Sequence, residues 1–176
     1  MDADAITAAK ALLEGPACKE IFDKIDFNGN NLVSTAEVDK FISESTADYP
    51  PFAPLIDEGT GKTKSMPLIR AWAHITGYVG GGRPYTEGHK DGFIHACEFK
   101  RYIHYLFLYN ELFSVFEDVA EGDKRVTKEE FVATVPQYLD HEPERLGKAF
   151  DAMDANGGGF VLFDEFARYI IAHMEA

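Results

Sequence analysis

Residues 22 to 37 read Phe22-Asp23-Lys24-Ile25-Asp26-Phe27-Asn28-Gly29-Asn30-Asn31-Leu32-Val33-Ser34-Thr35-Ala36-Glu37, and this stretch decides the fold. Counted from Asp26, oxygen-bearing side chains fall at positions 1, 3, 5 and 9 as Asp26, Asn28, Asn30 and Ser34, and Glu37 closes the run at position 12. The Leu32 carbonyl falls at position 7. A hard divalent cation such as Ca2+ needs six to eight oxygens at about 2.3–2.6 Å, and this order supplies them from one short loop. Val33, at position 8, suits a short strand by which two such loops pair. Ile21, Phe22 and Ile25 before the loop, and Val38, Phe41 and Ile42 after it, have helical spacing, so the whole reads helix–loop–helix. Asn31 stands at position 6, where glycine is usual, and Asn is among the residues that tolerate positive φ.

Three further stretches echo this one. Asp91-Gly92-Phe93-Ile94-His95-Ala96-Cys97-Glu98 ends a second loop, with Gly92 at the sharp turn, the Phe93 carbonyl at position 7 and Glu98 at position 12. Its first ligand positions become Glu87 and His89, poor matches for an oxygen cage, so Asp91, Phe93 and Glu98 make at most a weak site. His89 and His95 are read as loop histidines rather than a zinc or copper pair. A third loop, about 119–130, is too short: Val119 falls at position 1 and Lys124 at the turn, and Lys124 and Arg125 put positive charge where a cation would sit. It is expected not to bind. The fourth, 154–165, places Asp154, Asn156, the Phe160 carbonyl and Glu165 at positions 1, 3, 7 and 12, with Gly158 at 5 and Leu162 at 9 offering no side-chain oxygen. Water must fill those places, so this site is expected to be weaker than the first.

The intervening chain is consistent with paired units. Residues 3–14 show helical periodicity, stopped by Gly15-Pro16. Residues 45–64, with Pro50, Pro51, Pro54, Gly59 and Gly61, read as an irregular connector. Within it Gly61-Lys62-Thr63 lacks both the earlier glycine and the preceding strand of a phosphate loop. A helix should start at Ser65-Met66-Pro67 and fail at Gly77, before a glycine-rich insertion, Gly80 to Pro84, that lengthens the approach to the second loop. From Ala96 to Val119 the apolar pattern is nearly continuous, with room for a break near Asn110. Pro136 and Pro143 bracket a linker, and Phe163, Phe166, Ile170 and Met174 mark one face of the last helix.

Composition excludes several classes. A formal charge of −13 argues against nucleic acid or an anionic membrane held by a basic face. Fourteen Phe and eight Tyr among 176 residues furnish a packed core. Cys18 and Cys97 lie in no CxxC or zinc pattern and are read as buried thiols of a reducing compartment. No signal peptide or membrane-length apolar run is found, so a cytoplasmic place is expected. No nucleophile–base constellation or metal-hydrolase spacing appears, and an enzyme is not expected.

These residues together resemble the EF-hand superfamily. The resemblance implies an all-α fold of four helix–loop–helix units in two pairs: residues 1–108 with loops 26–37 and about 87–98, and residues 109–176 with loops about 119–130 and 154–165. From about Phe93 to Ile171 the chain is similar to the calflagins, flagellar calcium-binding proteins of trypanosomatids, through Glu98-Phe99, the apolar run to Phe116, Glu129-Glu130-Phe131 with Val135-Pro136, and Phe163-Asp164-Glu165-Phe166. That likeness implies a flagellar or ciliary location. Members of this kind carry an N-terminal Met-Gly-Cys for dual acylation, whereas this chain reads Met1-Asp2-Ala3, which leaves membrane association open. The expected function is a calcium sensor acting on a protein helix or peptide, with Ca2+ at loops 1 and 4 and Mg2+ a possible occupant at rest. The alternatives are an intracellular calcium buffer and a constitutive, light-chain-like adaptor.

Overall fold

The computed structural model describes residues 7, 11–14, 16–77, 92–137 and 143–174. The insertion from Gly80 to Pro84 and the loop-2 residues Glu87, His89 and Asp91 lie outside them. In chain order the elements are α1 (Pro16–Ile25), β1 (Leu32–Val33), α2 (Thr35–Ser45), a 3₁₀ turn (Pro50–Leu55), α3 (Ser65–Thr76), β2 (Ile94–His95), α4 (Ala96–Ala120), β3 (Arg125–Thr127), α5 (Lys128–Thr134), a second 3₁₀ turn (Val135–Gln137), α6 (Pro143–Met153), β4 (Phe160–Leu162) and α7 (Phe163–Met174). The chain is mostly helical, with two small antiparallel pairs.

Local chemistry accounts for most of the boundaries. Pro16 and Pro143 stand at the first residue of α1 and α6, where the missing N–H has no intrahelical partner to lose. Ser34 caps α2 and Thr127 caps α5, each in a reciprocal capping box with the glutamate three residues on. Gly77 ends α3 in the left-handed conformation, φ +68°. The apolar faces follow the helical period: Ile21, Phe22 and Ile25 on α1, Val38, Phe41 and Ile42 on α2, Leu146, Phe150 and Met153 on α6.

The strands pair β1 with β2 and β3 with β4. Val33 lies opposite Ile94, and Val126 opposite Val161, and all four side chains are buried. Ladders this short have little stability of their own. They hold because each is flanked by amphipathic helices that need the same burial. The described residues fall into two compact units, one running up to Asn110 and the other from Glu111, so the division falls within α4. In the first, Phe22 meets Phe99 edge-on at 5.2 Å between ring centroids. In the second, Phe163 meets Phe113 at 5.2 Å and Phe116 at 5.5 Å.

Four expectations change. The connector 45–64 is built rather than irregular: its 3₁₀ turn buries Phe52 and Leu55 completely, Phe52 packing edge-on against Phe41 and tilted against Phe107, at 5.4 Å between ring centroids in each case. A bridge between Ile56 and Thr63 then closes a turn in which Asp57 Oδ1 accepts from the Thr60 N–H and hydroxyl, both at 2.7 Å. Prolines produced this element, because fixed φ suits a 3₁₀ turn as well as an open loop. Second, α4 continues unbroken through Asn110, which is buried. Third, on α7 the buried set is Phe163, Phe166, Ala167 and Ile171, with Ile170 half-buried and the Met174 side chain outside the described residues. Fourth, Cys97 is exposed and Cys18 partly so, both as free thiols; partial burial still pushes the Cys18 thiol pKa up, against the lowering pull of Lys100.

An unsatisfied polar atom in the core suggests a test. Tyr102 is fully buried, its hydroxyl reaches no hydrogen-bond partner among the described residues, and that burial holds its pKa far above the usual phenol range. Tyr102→Phe removes the unsatisfied oxygen without opening a cavity, so it should raise stability by about 1 kcal/mol. Chemical denaturation checks this; a loss of stability would mean the hydroxyl has a partner.

Candidate metal centres

Loop 1 is a ring of hydrogen bonds around its own oxygens. Asp26, buried to 8% exposure, accepts from the Asn30 N–H at Oδ1 (3.1 Å) and from the Asn31 N–H at Oδ2 (2.8 Å). Asn28 Oδ1 accepts from the Asn30 N–H at 3.0 Å, and Asn30 Oδ1 from the Leu32 N–H at 2.8 Å. Asn28 Nδ2 then donates to Glu37 Oε1 at 2.8 Å, joining the start of the loop to its end. Gly29 and Asn31 take φ of +69° and +62°, the left-handed values that fold the chain back on itself. Ser34 Oγ is turned to the helix start: it accepts from the Glu37 N–H at 3.3 Å and donates to Oε2 at 2.8 Å.

Loop 4 repeats this arrangement. Asp154 accepts from the Gly158 and Gly159 N–H groups, both at 2.9 Å, and Asn156 Nδ2 donates to Glu165 Oε1 at 2.8 Å. Gly157 and Gly159 take the positive φ values. Gly158 has a packing role as well: a Cβ there would lie 2.6 Å from Asn156 Oδ1. The absence of a ligand at that position is therefore tied to the rotamer of its neighbour.

The donor chemistry fits a hard cation. Asp26, Asn28, Asn30 and Glu37, with the Leu32 carbonyl, offer only oxygen, as do Asp154, Asn156, Glu165 and the Phe160 carbonyl. A carboxylate or amide oxygen that accepts one N–H keeps a second lone pair, so these bonds do not exhaust the oxygens. Among the described residues no three His, Cys, Asp or Glu side chains gather as a metal group. Each of these loops places two carboxylates at ligand positions, and the other donors are amide, hydroxyl or backbone oxygens.

Loops 2 and 3 differ. In loop 2, Gly92 has φ +83°, its carbonyl accepts from Trp72 Nε1 at 3.1 Å, and the His95 N–H donates to Glu98 Oε2 at 3.1 Å; Phe93 is exposed. Trp72 braces this loop from α3, a contact that nothing in its helical spacing marks. In loop 3 the helix continues through Val119 to Ala120, so Val119 is a buried core residue and not a loop position. The turn is made by Glu121 and Gly122, at φ +48° and +89°. Asp123 accepts from the Lys124 N–H at 2.7 Å and from Arg125 Nε at 3.1 Å, and these contacts, the backbone one first, hold its carboxyl below the ordinary value. Arg125 thus occupies the Asp123 carboxylate.

One contact recurs in all four. The closing glutamate accepts from the N–H three residues before it: Ser34 to Glu37 at 3.0 Å, His95 to Glu98 at 3.1 Å, Thr127 to Glu130 at 2.7 Å and Leu162 to Glu165 at 3.0 Å. This glutamate is a helix cap before it is a ligand. No helix among the described residues is long and apolar enough to cross a membrane.

No family model matches the chain, and no curated protein matches it. Among solved structures, a homolog of programmed cell death 6 protein from Leishmania major Friedlin is similar at 16% identity and a TM-score of 0.39, over 97% of this chain and 80% of that one. A TM-score of 0.39 is too low for that protein's fold or function to be read onto this chain, so the site assignment stands on the loops alone.

The recurrent cap yields a prediction for loop 3. Glu130→Ala should destabilise the unit containing α5 by about 0.5–2 kcal/mol, equally with calcium and with chelator. Thermal unfolding in both conditions checks it; a calcium-dependent loss would place an ion at Glu130.

Proposed function

We propose that the chain is an EF-hand calcium-binding protein of four helix–loop–helix units, with Ca2+ held at loops 1 and 4. Loop 1 uses Asp26, Asn28, Asn30, the Leu32 carbonyl and Glu37, with Ser34 near the cap; loop 4 uses Asp154, Asn156, the Phe160 carbonyl and Glu165, with the Gly158 position left to water. The observation that carries this reading is the repeated ring: an aspartate accepting two backbone N–H groups, an asparagine reaching the closing glutamate, and a left-handed turn between, in loops 1 and 4 alike. A bound ion supplies the positive charge that the two carboxylates of each site otherwise lack.

Loops 2 and 3 act as braces. Each lends a loop-1 or loop-4 strand its antiparallel partner, and loop 3 keeps that shape with Arg125 in place of an ion. Weak occupation of loop 2 through Asp91, the Phe93 carbonyl and Glu98 belongs to the same proposal. The role that fits two carboxylates per site is a regulator responding to moderate calcium concentrations, since affinity rises with ligand charge. Its target is a protein helix or peptide, and a basic one suits a chain of charge −13. A place among the calflagins, and with it a flagellar location, rests on the sequence resemblance only.

A second reading, a constitutive adaptor or buffer, is favoured by one observation: loops 1 and 4 are closed by their own hydrogen bonds. Apolar-dye binding and amide exchange with and without calcium separate the two readings. A regulator gains dye binding and loses protection when calcium is added, and an adaptor or buffer changes neither.

Calorimetry with Glu37→Gln and Glu165→Gln tests the sites. Each substitution keeps a side chain able to reach the cap yet loses the carboxylate, so each should remove one binding event, the tighter one for Glu37→Gln. Unchanged stoichiometry in both variants would end this assignment.

A further inference from the structure

The closing contact of loops 1 and 4 is made by the wrong atom for a ligand. Asn28 Nδ2 faces Glu37 Oε1 at 2.8 Å, and Asn156 Nδ2 faces Glu165 Oε1 at 2.8 Å. An amide nitrogen donates hydrogen bonds and does not bind a hard cation; only Oδ1 can do that. In loop 1, Oδ1 is directed the other way, onto the Asn30 N–H at 3.0 Å. The orientation is enforced at both ends. Turning the amide over would set Oδ1 against a carboxylate oxygen and the NH2 group against a backbone N–H, replacing two attractions with two repulsions. In loop 4 the room for Oδ1 comes from Gly158, whose missing Cβ would otherwise stand 2.6 Å away.

We propose that Asn28 and Asn156 are amide latches that hold loops 1 and 4 shut without a cation, and that each becomes a ligand only when its amide turns over. The latch bridges the two ends of the loop with a neutral donor, in the place where a cation would otherwise offset the charge of the closing glutamate. Opening it costs the hydrogen bonds of the amide, two at Asn28 and the Glu165 contact at Asn156, so the latch weakens calcium binding while preserving loop shape. An aspartate in the same place would keep the backbone contact with one oxygen and offer the other to the ion, at the cost of repelling the glutamate in its absence. Asparagine at this position thus trades affinity for a folded metal-free loop. The ligand in this inference rests on the calcium reading above; the latch is a property of the metal-free chain and is tested separately.

The experiment is a double-mutant cycle at low salt, where exposed charges are least screened. In chelator, Asn28→Asp should lower the melting temperature by roughly 2 °C, and adding Glu37→Gln should restore it, because the repulsion then has no second partner. With calcium, Asn28→Asp alone should tighten loop 1 on the order of tenfold. In the chelated wild type, one Asn28 side-chain amide proton should be protected from exchange and lose that protection on calcium addition. Additive melting shifts, or an unprotected amide, would overturn the latch whether or not calcium binds. If the wild type binds no calcium, the site assignment fails while the chelator arms still decide the latch.

Discussion

The glutamate that ends each loop reaches back to the backbone N–H three residues earlier, and the geometry on either side of it follows from that one bond. It satisfies a donor that the first turn of the next helix leaves orphaned, so the helix begins there and not a residue later. Because the helix start is fixed, the residue four positions before the glutamate is held in its short strand, and Val33, Ile94, Val126 and Val161 arrive in register for pairing. The same carboxylate has a second oxygen. In loops 1 and 4 that oxygen meets an asparagine amide. A single side chain thus serves capping, strand register and site closure.

This shared duty explains why damaged loops persist in the fold. In loop 3, Arg125 lies against Asp123 and over the ring of Phe160, 5.2 Å from its centroid. The loop still supplies β3, without which β4 and the loop-4 backbone would lose their hydrogen-bonded neighbour. Loop 2 does the same for loop 1, steadied by Trp72 on the Gly92 carbonyl. Cation chemistry and fold maintenance are separable here because the cap needs only a glutamate, whereas the cage needs several further oxygens.

Much of this was legible in the sequence, for a physical reason: a loop whose ligands come from one contiguous segment writes its geometry into residue spacing. Asp26 to Glu37 and Asp154 to Glu165 could be placed by counting, as could the position-8 residues that pair. What counting could not reach depends on contacts between distant segments or on which way a short side chain turns. Phe52 sits in a proline-rich stretch that reads as loop, yet it is buried between Phe41 and Phe107, 11 and 55 residues away by number. The start of loop 3 was misplaced at Val119 because the apolar pattern of α4 and the loop alignment overlap there. Asn28 and Asn156 were read as ligands by type; the direction of their amides is a property of the folded loop, set by the N–H and carboxylate on either side.

Loops 1 and 4 are the proposed ion sites, and loop 3 is the proposed brace, with Arg125 against its Asp123. Anomalous diffraction from crystals grown with calcium tests this most directly, because it locates each ion without reference to a mutant. Peaks enclosed by residues 26–37 and 154–165, with none between Glu121 and Glu130, are the expected result. An ion within the Glu121–Glu130 turn, or no ion between Asp26 and Glu37 at saturating calcium, would contradict it.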